Sequence, residues 1–305
     1  MVCHPFHKTA CKTSGFVRQN ATECAFATSD SWVILTPIEQ SIKRKIEAVG
    51  TPLKDWDIKI NRGILTGCNE AFIIDEEKRQ ELIAQDPRSA EIIRPILRGR
   101  DIKRYGYNFA GLYLIAAHNG VPEKDIPRVN IDDYPAVKRH LDQYWDKIST
   151  RSDKGDTPYN LRSCAYMEDF FKQKIIYPNM TKYLPFFWDK EKFVTNQKCF
   201  IITGKHLGYL TAFLNSSLFK YCYRDSFPEL QAGTRELSKI FFDKLAVAEV
   251  TDEQDAEFIA LVEKNQTLPL KEERRKLEEY IDKLIFEIHG LTEEEAIQVG
   301  FIEIV

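Results

Sequence analysis

Asn61-Arg62-Gly63-Ile64-Leu65-Thr66-Gly67-Cys68-Asn69-Glu70-Ala71-Phe72-Ile73-Ile74-Asp75, followed after a spacer by IIRPILRGRDIKRYGYNFAGLYLIAA (92–117), is the stretch that decides how this chain folds. Gly63 and Gly67 bracket a tight turn, where glycine permits φ > 0 and a close approach of the backbone to a partner. The apolar run Ala71–Ile74 predicts a buried strand leaving that turn. Residues 94–104 then hold five cations (Arg94, Arg98, Arg100, Lys103, Arg104) against one acid, Asp101, for a net charge of +4. A basic segment beside the Thr66 and Asn69 donors suits phosphates and guanine edges, although a solvated basic loop has the same composition.

The order of these features says more than their composition. A GIxTGxNxAFxI turn and strand at 63–74, a helical spacer, PxLRGRDIKRY at 95–105 and an apolar strand together resemble the target-recognition domain of Taq-type DNA adenine methyltransferases. That domain also occurs in the fused type IIG restriction-modification enzymes and is related to the specificity subunits of type I systems. The resemblance covers roughly residues 31–295. Leu214-Asn215-Ser216 is similar to an LNS signature of the same domains, and the segment from Asp282 to Glu295 is similar to their closing helices.

The resemblance implies a mixed α/β (α+β) fold with a twisted mixed sheet, flanking helices and a C-terminal helical spacer. It also implies a set of DNA-contacting residues: Arg62, Thr66 and Asn69 around the glycine turn, and Arg98, Arg100, Lys103 and Arg104 in the basic segment. Tyr159 and Arg162 stand where the family carries an aromatic and arginine pair. Asn179, Thr181, Asn196 and Gln197 are polar tips suited to reading base edges, and Arg235 lies in the polar segment 231–236, a further candidate contact loop.

Composition sets outer limits. With 305 residues, 43% hydrophobic and 29% charged, the chain can bury a large core as one large domain or two smaller ones. No apolar run approaches a membrane span and no apolar signal peptide opens the sequence, so no membrane partner is expected. Seven scattered cysteines, without a disulfide framework, fit a reducing cytoplasm. The overall charge of −3 conceals a division, since residues 252–305 carry 15 acids and 6 bases, leaving 1–251 with a net charge of +6. An acidic helical tail on a mildly basic body keeps a nucleic-acid binder soluble and localises its field.

The organisation follows in three parts: an extended or poorly ordered arm over 1–30, a recognition domain over 31–250, and an acidic helical region over 251–305. In the arm, Cys3, His4, His7 and Cys11 are ligand types, but no Cys-x-x-Cys pair supports a metal site. Thr36-Pro37-Ile38-Glu39 predicts a capped helix that Gly50 ends, with Ile38, Ile42, Ile46 and Val49 on its apolar face. Trp56–Ile60 alternates as a strand, one or two short helices are expected over 76–93, a helix over about 133–149 and a strong helix over 206–224. Residues 159–200 hold 11 aromatics, more consistent with a sheet core than with base stacking, although Lys172, Lys174, Lys182 and Lys198 are interleaved among them. Phe258, Ile259, Leu261 and Val262 mark one late helix, Leu277, Ile281, Leu284, Ile285 and Ile288 a second, and Thr292 caps a third.

Amino-methyltransferases of this family need an Asn/Asp/Ser-Pro-Pro-aromatic loop and a glycine-rich turn for S-adenosylmethionine. The sequence contains no Pro-Pro dipeptide and no such turn. The chain is therefore expected to be the double-stranded DNA recognition module of a restriction-modification, phage-defence system, without a catalytic motif of its own. Its partner would be a methyltransferase or endonuclease domain or subunit, and S-adenosylmethionine and Mg would belong only to that part. Two other readings are a Mg-dependent nuclease built on Asp57-Ile58-Lys59 and Asp101-Ile102-Lys103, and a protein-interaction scaffold carried by the acidic helices.

Overall fold

The computed structural model describes residues 35–190 and 192–301, with the short strands Val2–Cys3 and Thr22–Glu23. Apart from those two strands, the expected arm and its Cys/His grouping lie outside the described residues.

The helix Pro37–Val49 starts as its sequence dictates. Thr36 Oγ1 accepts the Glu39 N–H at 3.4 Å, Glu39 Oε2 accepts the Thr36 N–H at 2.7 Å, and proline occupies the first turn, where its missing N–H costs nothing. Gly50 ends the helix in extended backbone rather than a left-handed cap. A Cβ there would lie 2.7 Å from the Ile46 carbonyl oxygen and 2.8 Å from Ala246 Cβ. Glycine is needed because the strand Ala246–Ala248 passes against Gly50–Pro52 in an antiparallel pair.

At the centre lies an antiparallel sheet in the order Phe187–Lys190, Gln173–Pro178, Cys199–Gly204, Ile58–Arg62. Its side chains alternate between two hydrophobic cores. Ile175, Tyr177, Trp188 and Ile202 enter one, while Ile176, Phe187 and Ile201 enter the other. Burial on both faces explains why Lys-Ile-Ile-Tyr-Pro and Cys-Phe-Ile-Ile read as nearly continuous apolar runs. The first core is closed by helices Pro37–Val49, Leu207–Leu214, Asp252–Thr267 and Lys271–Ile288. The second is closed by a mixed sheet ordered Val194–Thr195, Ile93–Leu97, Leu112–Ile115, Ile73–Asp75, whose first pair is parallel, together with helices Glu76–Gln85 and Pro135–Asp142. The mixed α/β class expected from sequence is what the chain forms.

Several elements differ from their sequence reading. Ala71 and Phe72 belong to a helical turn, Asn69–Phe72, before the strand Ile73–Asp75. The Cys68 carbonyl accepts both of their N–H groups, and the turn buries both side chains completely. The helix expected over 133–149 is two, Pro135–Asp142 and Trp145–Thr150. That expected over 206–224 is also two, Leu207–Leu214 and Ser217–Ser226, broken where Asn215 turns its side chain to another segment. Lys174 is not a surface cation. It is fully buried in the sheet, 2.6 Å from Asp189.

The C-terminal helices Asp252–Thr267 and Glu293–Val299 begin at capping boxes, Thr251 with Gln254 and Thr292 with Glu295, and Gly290 takes φ +63° between Lys271–Ile288 and the last helix. Phe258, Val262, Leu277, Ile281 and Ile285 join the core of the central sheet. Most acids of these helices face solvent, but Asp255, Glu278, Asp282 and Glu295 are buried and fasten the helices to the body. Asp255 accepts the Tyr209 N–H at 2.8 Å, Asp282 accepts the Ser217 N–H at 2.9 Å, and Glu295 accepts from Ser41 at 2.7 Å and Lys45 at 2.6 Å.

Candidate nucleic-acid interface

Four loops meet at one end of the central sheet because the strand ends that feed them are hydrogen-bonded to one another. Gly63 N–H donates to the Cys199 carbonyl at 2.8 Å, Asn196 N–H to Leu97 at 3.3 Å, and Asn179 N–H to Lys198 at 2.9 Å. A Cβ on Gly63 would lie 2.0 Å from the Asn196 carbonyl oxygen, so this glycine is required by backbone contact within the chain itself. Gly67, by contrast, does take φ +64°. Gly99 sits against Pro178, where its Cβ would be 3.2 Å from the proline Cβ. A two-stranded ribbon, Met180–Thr181 with Arg235–Glu236, extends the assembly, anchored by Leu237 N–H to the Asn179 carbonyl at 2.8 Å.

Arg62, Arg100, Lys103, Lys182 and Lys198 are exposed on these loops, with the half-buried Asn179 and Gln197 between them. Sequence reasoning set Lys182 and Lys198 among core aromatics rather than in the contact set, yet both project from the same end. The signal was available in the Pro178-Asn179 and Asn196-Gln197 turns that flank them. Arg62 Nε donates to the Gln197 carbonyl at 2.9 Å, which fixes the guanidinium plane. Arg100 makes no hydrogen bond among the described residues. Its neighbour Arg98 is committed to Asp101, with Nε and Nη2 each 2.9 Å from a different carboxylate oxygen. Burial pushes the Asp101 carboxyl up, and the Arg98 hydrogen bonds and charge outweigh that effect and leave it below its ordinary value.

A second group of the expected residues clusters around the 150–163 loop. Thr66 is buried and donates to Asn69 Oδ1 at 2.6 Å, so its hydroxyl serves the turn, while Asn69 itself is exposed. Arg151, which sequence reasoning passed over, is the hub of this region. It is buried over the Phe72 ring and donates to the carbonyls of Thr66, Pro158 and Asn160. Tyr159 donates to Asp142 at 2.6 Å, and burial together with that bond pushes its hydroxyl pKa up to about 12. Arg162 is exposed and 3.3 Å from Asp153.

Three further expected contacts are turned inward or used locally. Arg104 donates to the Asn215 carbonyl at 2.6 and 3.0 Å and pairs with Glu278. Arg235 donates to the Phe227 carbonyl and lies 3.3 Å from Glu229. The Thr181 hydroxyl accepts the Tyr183 N–H and donates to the Tyr183 carbonyl, both at 3.0 Å, which leaves Tyr183 projecting at 68% exposure. The two Asp-Ile-Lys acids do not converge. Asp57 precedes the start of Ile58–Arg62, whereas Asp101 lies beside the loops at the opposite end and is taken by Arg98.

The sequence matches the model of the TaqI-like C-terminal specificity domain over residues 94–247. It is 23% identical over 279 residues to the type II methyltransferase M.BstVI of Geobacillus stearothermophilus, covering 88% of this chain and 46% of that protein. The chain therefore spans less than half the length of that relative. The fold is similar to that of the type IIL restriction-modification enzyme MmeI, solved in complex with DNA, at a TM-score of 0.56 and 12% identity over 77% of this chain and 33% of that one. A match to the type IIG restriction endonuclease BpuSI has a TM-score of 0.46 and 15% identity, covering 86% of this chain and 34% of that one.

Proposed function

The chain belongs to the family of TaqI-like C-terminal specificity domains, and from that premise we propose that it is the duplex-DNA recognition module of a restriction-modification system. The observation that carries this reading is the convergence at one end of the central sheet of the exposed Arg62, Arg100 and Lys198 with the polar tips Asn179 and Gln197. Cations of this kind neutralise phosphates and release counterions, and amide groups between them have the donor and acceptor pairs that base edges require. The sheet is buried on both faces, so the loops start from a rigid base, as recognition of fixed base positions requires.

Methyl transfer to adenine, and cleavage where it occurs, would fall to a separate methyltransferase or endonuclease part in the cytoplasm, which would also hold S-adenosylmethionine and Mg. This chain would contribute binding and register. The test is a titration of the purified chain with a pool of randomised duplexes across a salt series. Enrichment of one short sequence, with affinity falling steeply as salt rises, is the expected result. Affinity that is independent of salt, or selection that leaves the pool random, overturns the reading.

A further inference from the structure

We propose that the Arg98–Asp101 pair is a lock on the turn that presents Arg100 to a DNA phosphate, making Arg100 a sequence-independent anchor; the inference rests on the DNA-binding reading above. Residues 98–101 form a single 3-10 turn. The Asp101 carboxylate accepts the Arg98 backbone N–H at 2.9 Å and both side-chain donors of Arg98, while Asp101 N–H returns a bond to the Arg98 carbonyl at 2.9 Å. Asn108 N–H donates to the Asp101 carbonyl at 2.7 Å, and Gly99 is seated on Pro178 and the Lys198 carbonyl. The backbone on both sides of Arg100 is thus held from within the chain. A bidentate arginine–carboxylate pair has the planar geometry to hold such a turn, and Arg98 cannot release it to reach DNA without leaving the buried Asp101 uncompensated.

The side chain of Arg100 is held differently from its backbone. No hydrogen bond among the described residues orients its guanidinium, whereas Arg62 on the neighbouring loop is held at Nε. Reading a base edge requires the guanidinium plane to be fixed by supporting groups, while a phosphate is a charge that a flexible arm can reach from many angles. A fixed Cα with a free guanidinium is the arrangement for a phosphate.

The experiment measures binding of Arg100→Ala, Arg100→Lys, Arg98→Lys and the Arg98→Lys/Arg100→Ala double variant to the selected duplex and to a scrambled one, each across a salt series and each checked by thermal melting. Arg100→Ala is expected to weaken both duplexes alike, by roughly tenfold, and to reduce the salt slope by about one. Arg100→Lys keeps the slope. Arg98→Lys retains the charge but loses the fork, and is expected to weaken both duplexes alike. In the double variant its effect disappears, because there is no longer an Arg100 to position. A loss confined to the selected duplex would make Arg100 a base reader and overturn the proposal. So would an unchanged slope in Arg100→Ala, or additive losses in the double variant. If the unaltered chain shows no salt-dependent binding to either duplex, it is the DNA-binding reading itself that fails.

Discussion

The guanidinium of Arg104 closes on the main-chain carbonyl of Asn215, with Nη2 at 2.6 Å and Nε at 3.0 Å, joining segments 111 residues apart. Asn215 in turn pairs by its side chain with both main-chain groups of Phe186, donating to the carbonyl at 2.8 Å and accepting the N–H at 3.2 Å. The same arginine reaches Glu278 on the helix Lys271–Ile288, and Glu278 also accepts from Asn265 at 3.1 Å. One buried junction therefore ties the end of the basic segment, the break between two helices and the C-terminal helices to the strand that carries Phe187 and Trp188.

Arg104→Met is expected to destabilise the fold by about 3–5 kcal/mol, because it leaves Glu278 buried without its cation and the Asn215 carbonyl without its donors. Asn215→Ala should cost about 1–3 kcal/mol by leaving the Phe186 N–H without its acceptor, while the Phe186 carbonyl keeps the Tyr105 N–H at 3.1 Å. Urea unfolding of each variant measures this. A loss below about 0.5 kcal/mol for Arg104→Met would show that the junction is not a structural joint.

Gly63→Ala should disrupt the loop end itself. Its Cβ would meet the Asn196 carbonyl oxygen at 2.0 Å, a contact with backbone that no rotamer can relieve. Overpacking of this kind costs about 1–3 kcal/mol or more, and the displacement would fall on the 196–198 turn that holds Arg62. The melting temperature should drop and duplex binding weaken together; binding at the unaltered level would place the DNA face elsewhere.

Acid should loosen the C-terminal helix Glu293–Val299 first. Burial raises the Glu295 pKa, but hydrogen bonds from Lys45, Ser41 and the Thr292 backbone outweigh it and bring it down to about 2. With the folded value below the unfolded one, this contact stabilises fully above about pH 4.5 and is lost as the pH falls toward about 2. Glu295→Gln should therefore melt below the unaltered chain at pH 7, and the difference should shrink on approaching pH 3. A gap that stays constant with pH would mean that the carboxylate charge contributes nothing there.

Lys174→Met should be among the most damaging single changes in the sheet. It strands the buried Asp189 carboxylate, which also accepts the Phe193 N–H at 2.9 Å, and breaking such a pair costs about 3–5 kcal/mol. Replacing both members, as Lys174→Met with Asp189→Leu, is expected to cost less than the lysine change alone, since no uncompensated charge remains. Guanidinium unfolding of the single and double variants decides it. A double variant less stable than Lys174→Met would refute the stranded-charge account.

The sequence by itself determined the elements whose bonds close within three or four residues. The capping boxes at Thr36, Thr251 and Thr292 and the left-handed Gly290 follow from local rules of this kind. The Arg98–Asp101 lock had the same local spacing and could have been seen in Arg-Gly-Arg-Asp. The glycine turn, the basic segment and Leu214-Asn215-Ser216 were legible as a family pattern, but their physical roles were not.

Only the tertiary structure decided those roles. Arg98, Arg100 and Arg104 are chemically identical in the sequence, yet one locks a turn, one is exposed and one is half-buried at a junction. What separates the last two is whether a carbonyl and a carboxylate from 111 and 174 residues away arrive beside the guanidinium. Lys174 became a core residue for the same reason, because its sheet is covered on both faces and Asp189 lies within reach. Composition fixes how many charges a segment carries. Which of them keep their hydration, and so remain available to DNA, is set by long-range packing that desolvates some and leaves others in water.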